Sequence, residues 1–157
     1  MRKLICTLAF ILCGCATTAP GGNFVTEGDQ TPLAADAVHQ LASLYPPAHT
    51  ALALQQPTTD PFGTALVTGL RARGYQVAEY VPANPREDAP RPQAGTALRY
   101  VLDAAGDIYR LTLFVGDQAI SRPYTAHAGS FTPVGAWVRG QGKSDKHIAR
   151  TFKGCCL

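Results

Sequence analysis

The sequence predicts an α+β fold: a single small domain with two N-terminal helices, at about 32–45 and 61–73, packed on one face of a mixed four- to five-stranded sheet that ends in an antiparallel meander. Three observations carry this expectation. Two stretches with a helical apolar period each start at a polar residue followed by proline, Thr31-Pro32 and Asp60-Pro61. Three strand-like runs between Leu98 and Tyr124 are separated only by short turns containing Gly-Asp. Without residues 1–14, 143 residues remain, enough for one core and too few for two ordinary domains.

The chain opens with Met1-Arg2-Lys3, ten mostly apolar residues from Leu4 to Cys13, and Gly14-Cys15. Two cations before an apolar run too short to anchor a bilayer read as a secretory signal over 1–14. Leu12-Cys13-Gly14-Cys15 resembles the lipobox of bacterial lipoproteins, which are cut just before a cysteine already carrying diacylglycerol. The mature protein is then expected to begin at lipidated Cys15, with acyl burial contributing about 0.8 kcal/mol per methylene, sufficient with two or more chains for stable membrane residence. By the same resemblance, Ala16 in place of an aspartate points to the outer membrane. The alternative is an ordinary signal peptide with an incidental cysteine.

Residues 15–31 are small, polar and glycine-bearing, with Pro20-Gly21-Gly22, and read as a flexible lipid-linked tether. Thr31 is expected to cap the first helix. Leu33, Ala34, Ala37, Val38, Leu41, Ala42 and Tyr45 share its apolar face, Asp36, His39, Gln40 and Ser43 share the polar one, and Pro46-Pro47 stops it. Thr50–Gln55 reads as a strand. Asp60 caps the second helix, whose apolar face holds Phe62, Ala65, Leu66, Gly69 and Leu70, with Gly69 permitting close approach to a sheet. Gly74 ends it, and Tyr75–Val81 follows as a strand, making a strand-helix-strand unit expected to pair in parallel with a right-handed crossover.

Residues 82–95, with Pro82, Pro85, Pro90 and Pro92, read as a mobile surface loop. The meander follows as 98–102, 108–115 and 118–124, with Tyr109, Leu111, Leu113 and Val115 on the buried side of its middle strand. Phe131–Val138 is a last extended stretch, with Trp137 plugging the core edge. The domain is expected to span 32–139, and 140–157 to be a disordered basic tail.

Charge and cysteine usage exclude several functions. The formal charge of +3 falls to +1 once Arg2 and Lys3 leave, and Arg139, Lys143, Lys146, Arg150 and Lys153 crowd the last nineteen positions, so the domain is mildly acidic and carries no nucleic-acid footprint. Cysteines stand at 6, 13, 15, 155 and 156, which leaves Cys155 and Cys156 as the only free thiols after processing and allows no disulfide framework or zinc spacing. His39, His49, His127 and His147 read as surface residues, and Asp103 and Asp107 as hairpin-turn residues. No serine sits in a nucleophile elbow and no glycine-rich phosphate loop precedes a helix, so no catalytic residue, metal ligand or cofactor-binding residue is assigned and the protein is not expected to be an enzyme. Tyr75, Tyr80, Tyr100, Tyr109, Phe114, Tyr124, Phe131 and Trp137 cluster on the predicted sheet; most belong to the core, and those on the outward face would form a partner-binding patch.

Several of these stretches together resemble the TrbH family, lipoproteins encoded with the mating-pair formation genes of conjugative plasmids. They are Cys15-Ala16-Thr17, Leu44-Tyr45-Pro46-Pro47-Ala48, Leu54-Gln55-Gln56, Pro61-Phe62-Gly63 with Leu66, Leu70-Arg71-Ala72-Arg73-Gly74-Tyr75, Leu98 to Asp103, Tyr109-Arg110, and Gly135 to Arg139. The resemblance implies a component of a type IV secretion apparatus at the outer membrane of a Gram-negative bacterium, facing the periplasm and assembled with other Trb channel proteins. It brings no catalytic residue, cofactor, nucleic acid or small-molecule substrate, and the family pattern is expected to stop after Arg139.

Three functional readings follow. The leading one is a structural or assembly lipoprotein of a conjugative secretion system. The second is a transport or envelope-assembly accessory carrying lipid or lipopolysaccharide, which requires an apolar groove or basic patch. The third, a periplasmic hydrolase, lacks a catalytic constellation.

Overall fold

The computed structural model describes residues 28–82 and 94–142. Helix α1 spans Thr31–Leu44, a short 3-10 turn Pro47–His49, strand β1 Ala51–Leu54, helix α2 Pro61–Ala72, β2 Gln76–Ala78, β3 Thr96–Ala105, β4 Ile108–Val115, β5 Gln118–His127, β6 Ser130–Pro133 and β7 Val138–Gln141. The strands form one mixed sheet in the order β2-β1-β3-β4-β5-β6, with β7 also paired to β5. β2, β1 and β3 run parallel and β3 to β6 form the antiparallel meander.

The expected α+β architecture is present, with more strands than the four or five anticipated. The extra strands are short edge pieces: β2 has three residues, and the stretch expected as one extended run over 131–138 divides into β6 and β7. β7 runs two residues into the segment expected as a tail, and the Gly142 N–H donates to the Asp117 carbonyl at 2.9 Å, so the ordered domain reaches past Arg139. The signal, most of the tether, most of the 82–95 loop and the remainder of the tail lie outside the described residues.

Register explains the core. Leu98 pairs with Val115, Tyr100 with Leu113, Leu102 with Leu111 and Leu113 with Ile120, which puts all of them on the side covered by the helices. They pack with Leu33, Ala37, Leu41, Phe62, Leu66 and Leu70, and each is essentially inaccessible to water. The apolar faces read from the helical period are thus the buried ones. Gly69 serves a contact other than the expected one: a Cβ there would lie 3.0 Å from Val38 Cγ2, so the glycine lets α2 approach α1 rather than the sheet.

The helix starts differ in an instructive way. At α2 the Asp60 carboxylate accepts the Gly63 N–H at 2.9 Å, as its Asp-Pro start predicts. At α1 the first helical residue is Thr31 itself, Gln30 stands at the N-cap without a side-chain hydrogen bond, and Asp29 Oδ1 accepts the Thr31 N–H at 2.9 Å. The carboxylate that caps the helix thus lies two residues before the threonine expected to do so. Hydrogen bonds from Thr31 hold the Asp29 carboxyl below the usual aspartate range.

Three two-residue turns build the meander. Gly106-Asp107 and Gly116-Asp117 place glycine at the first central position with φ +61° and +57°. The third, Ala128-Gly129, has φ +49° and +76°, and an alanine in that region costs about 1–2 kcal/mol. Ala128→Asn is therefore expected to stabilise the domain by about 0.5–1 kcal/mol, seen as a higher urea midpoint at unchanged slope.

Candidate functional site

The inward face of β5 carries an arginine between two core residues. Ile120, Arg122 and Tyr124 alternate onto the helix-covered side, and Arg122 is only about a fifth exposed at its side chain. A cation at such a position requires a partner, because an unpaired buried charge costs several kcal/mol. Asp36 supplies it: Arg122 Nη1 donates to both carboxylate oxygens at 2.9 Å, and the Tyr124 hydroxyl donates to Oδ2 at 2.5 Å. Arg122 Nε donates to the Gly135 carbonyl at 2.7 Å. Asp36 was expected among solvent-facing residues of α1; it instead turns toward the sheet edge and joins α1, β5 and the 134–137 segment.

Two further clusters tie helices to strands. The buried Tyr100 hydroxyl donates to Asp60 Oδ2 at 2.5 Å while its ring meets Phe62 edge-on at 4.9 Å. At the C-terminal end of α1, Gln118 Oε1 accepts from the Tyr45 hydroxyl at 2.9 Å and from Arg139 at 2.6 Å, and the Tyr75 hydroxyl donates to the Tyr45 carbonyl at 2.5 Å.

Burial raises the pKa of Tyr75, and burial with the Asp36 hydrogen bond raises that of Tyr124 far above the ordinary tyrosine value of about 10. Both stay neutral in the folded state where the unfolded chain ionises. Their contribution is therefore complete below about pH 10 and is lost as pH rises toward the folded values, with a slope approaching about 1.4 kcal/mol per pH unit for Tyr124 and a smaller one for Tyr75. Urea midpoints measured between about pH 9 and about pH 11 are expected to fall steadily, and Tyr124→Phe to give a shallower decline.

Among the described residues no helix covers the opposite face of the sheet. Arg99 lies over the Phe114 ring at 4.3 Å, and the half-buried Val101, Thr112 and Ser121 share that face with Val138, which is 62% exposed. The expected aromatic patch does not form there. Tyr75, Tyr100, Tyr124 and Phe131 are buried in the core, Tyr109 and Trp137 pack half-buried against it, and only Phe114 takes the outward face of the meander, while Tyr80 is exposed beyond β2. Trp137 meets the core edge as anticipated, but its indole Nε1 is buried without a hydrogen-bond partner among the described residues, at a cost of about 1–3 kcal/mol.

His39 and His49 are exposed, and so is His127, which closes β5 rather than lying in a loop. Asp103 sits in β3, paired with Arg110 at 2.7 Å, and Asp107 in the tight turn. An open cleft of about 440 Å³ lies at the start of β1 and β2, where His49, Thr50 and Gln76 are its polar side chains. Among the described residues no three His, Cys, Asp or Glu side chains converge to hold a metal, and no helix is long and apolar enough to cross a membrane. Cys15, Cys155 and Cys156 lie outside the described residues.

The sequence reading missed the Arg122–Asp36–Tyr124 cluster, although an arginine in an alternating strand between isoleucine and tyrosine is itself a signal for a buried carboxylate partner. Comparison with known families finds one matching model, described as conjugal transfer protein TrbH, over residues 16–141. The match covers both α-helices and all seven strands of the described residues and ends with β7, two residues past Arg139. No curated protein and no solved structure matches the chain.

Proposed function

The chain belongs to the TrbH family of conjugal transfer proteins, and from that premise we propose that it is an outer-membrane lipoprotein, anchored by acylated Cys15 and facing the periplasm, that helps assemble the mating-pair formation apparatus by binding its other envelope proteins. The observation that carries this reading is the position of the family match: it begins at Ala16, the residue after the lipobox cysteine, and takes in the whole described domain. Lipid at one end and a protein-binding domain at the other is the arrangement of an assembly factor. In this reading the domain performs no catalysis; its polar clusters join helix to strand, and the face around Arg99 and Phe114, which neither described helix covers, is the surface offered to partners.

Deleting the gene from its conjugative element tests this. Transfer frequency is expected to collapse and to recover with the wild-type chain in trans, and affinity purification from detergent-extracted envelopes is expected to bring down other conjugation proteins. Unchanged transfer on deletion would remove the proposed role.

A further inference from the structure

The edge of the sheet beyond β5 is built in two pieces, and Pro123 explains why. The Pro123 carbonyl accepts the Val134 N–H at 3.0 Å, so in an antiparallel ladder the amide position of residue 123 faces the same edge, where proline has no hydrogen to donate. The edge strand cannot continue past that point. β6 pairs with residues 124–127, the chain leaves the ladder at 134–137, and β7 re-enters opposite 118–121. Across the gap Arg122 Nε donates to the Gly135 carbonyl, replacing the missing backbone donor.

What holds the second piece is slight. All four residues of β7 are exposed and, among the described residues, β5 is its one strand partner; the Arg139–Gln118 and Gly142–Asp117 hydrogen bonds secure its far end. Trp137 enters the core edge with its indole N–H buried and without a partner among the described residues, a penalty that water removes when the segment lifts. Arg122 keeps both of its bonds to Asp36 when Gly135 departs, so lifting leaves no charge unpaired.

We propose that residues 134–141 are a strap that lifts from β5 as a unit while the rest of the domain stays folded, with Arg122 as its clamp. The lifted state bares the backbone edge of residues 118–121 and exposes Trp137.

Hydrogen exchange on the full-length protein tests this, read alongside quenching of the chain's one tryptophan by acrylamide. Amides of 134–142 are expected to exchange about 100-fold faster than those of β3 and β4 under native conditions. Arg122→Gln is expected to raise Trp137 quenching and to speed exchange in 134–142 about tenfold more than in β3 and β4, whose smaller rise reports the loss of the Asp36 ion pair. Gly135→Ala acts from the strap side without touching the ion pair, since its Cβ would lie 3.0 Å from Pro123 Cγ, and is expected to act in the same direction. It decides the matter if Arg122→Gln does not fold. Equal exchange of 134–142 and β4 in the wild type, or a proportional rise across all strands in Gly135→Ala, would show that the edge opens only with the whole domain and overturn the proposal.

Discussion

Leu66→Asp is expected to unfold the domain at room temperature. Leu66 sits at the middle of α2 with no exposed surface, inside the cluster formed by both helices and the sheet. The substitution removes apolar contacts worth about 2–5 kcal/mol and places a carboxylate where its ionised form costs several more. Domains of this size are stable by about 5–15 kcal/mol, so the combined penalty takes most or all of the margin. Loss of the far-UV helical signal and of cooperative urea unfolding is the expected readout. Arg71→Ala, on the exposed side of the same helix where Arg71 pairs with Glu79, is expected to change stability by no more than about 0.5 kcal/mol. A native-like melting curve for Leu66→Asp would mean that the helix buries another face.

Gly63→Val is expected to cost about 2–4 kcal/mol through a different mechanism. A Cβ at Gly63 would fall onto the Tyr100 hydroxyl, 2.9 Å from Asp60 Oδ2 and 2.9 Å from the Thr58 Cα, so the first turn of α2 and the buried tyrosine cannot both remain in place. The side chain therefore breaks the cap and the Asp60–Tyr100 bond together. The urea midpoint reports the loss, and a double-mutant cycle with Tyr100→Phe separates the two contributions: the part due to the Tyr100 hydroxyl is expected to disappear in the Tyr100→Phe background, while the cap and Thr58 contacts still cost stability. Additive effects would contradict the shared contact.

The helices were legible because their apolar period, proline starts and stops, and the Asp60 cap are local signals. The meander was legible because Gly-Asp pairs separate strands of alternating burial. What escaped the sequence reading depends on contacts between distant positions. Asp36 borders the apolar stripe of α1, and Arg122 and Tyr124, 86 and 88 residues away, turn it inward. Gly63 carries no local signal of its constraint, which comes from Tyr100, brought against it by the sheet. The split between β6 and β7 follows from Pro123 on the neighbouring strand, which is visible in the sequence but informative only when the pairing is known. The open face of the sheet escaped for a related reason: register decides which aromatic residues point outward, and it leaves only Phe114 on that face of the meander.

Lipid attachment is the point on which the functional account turns, and Cys15→Ala tests it most directly. Cells expressing the tagged wild-type chain are labelled with radioactive palmitate and fractionated, and the same strains are scored for plasmid transfer. The wild-type protein is expected to carry label and sediment with the outer membrane, and Cys15→Ala to lose the label, leave the outer-membrane fraction and fail to restore transfer to a deletion strain. Palmitate incorporation into Cys15→Ala, or full transfer from an unlabelled and soluble protein, would contradict it.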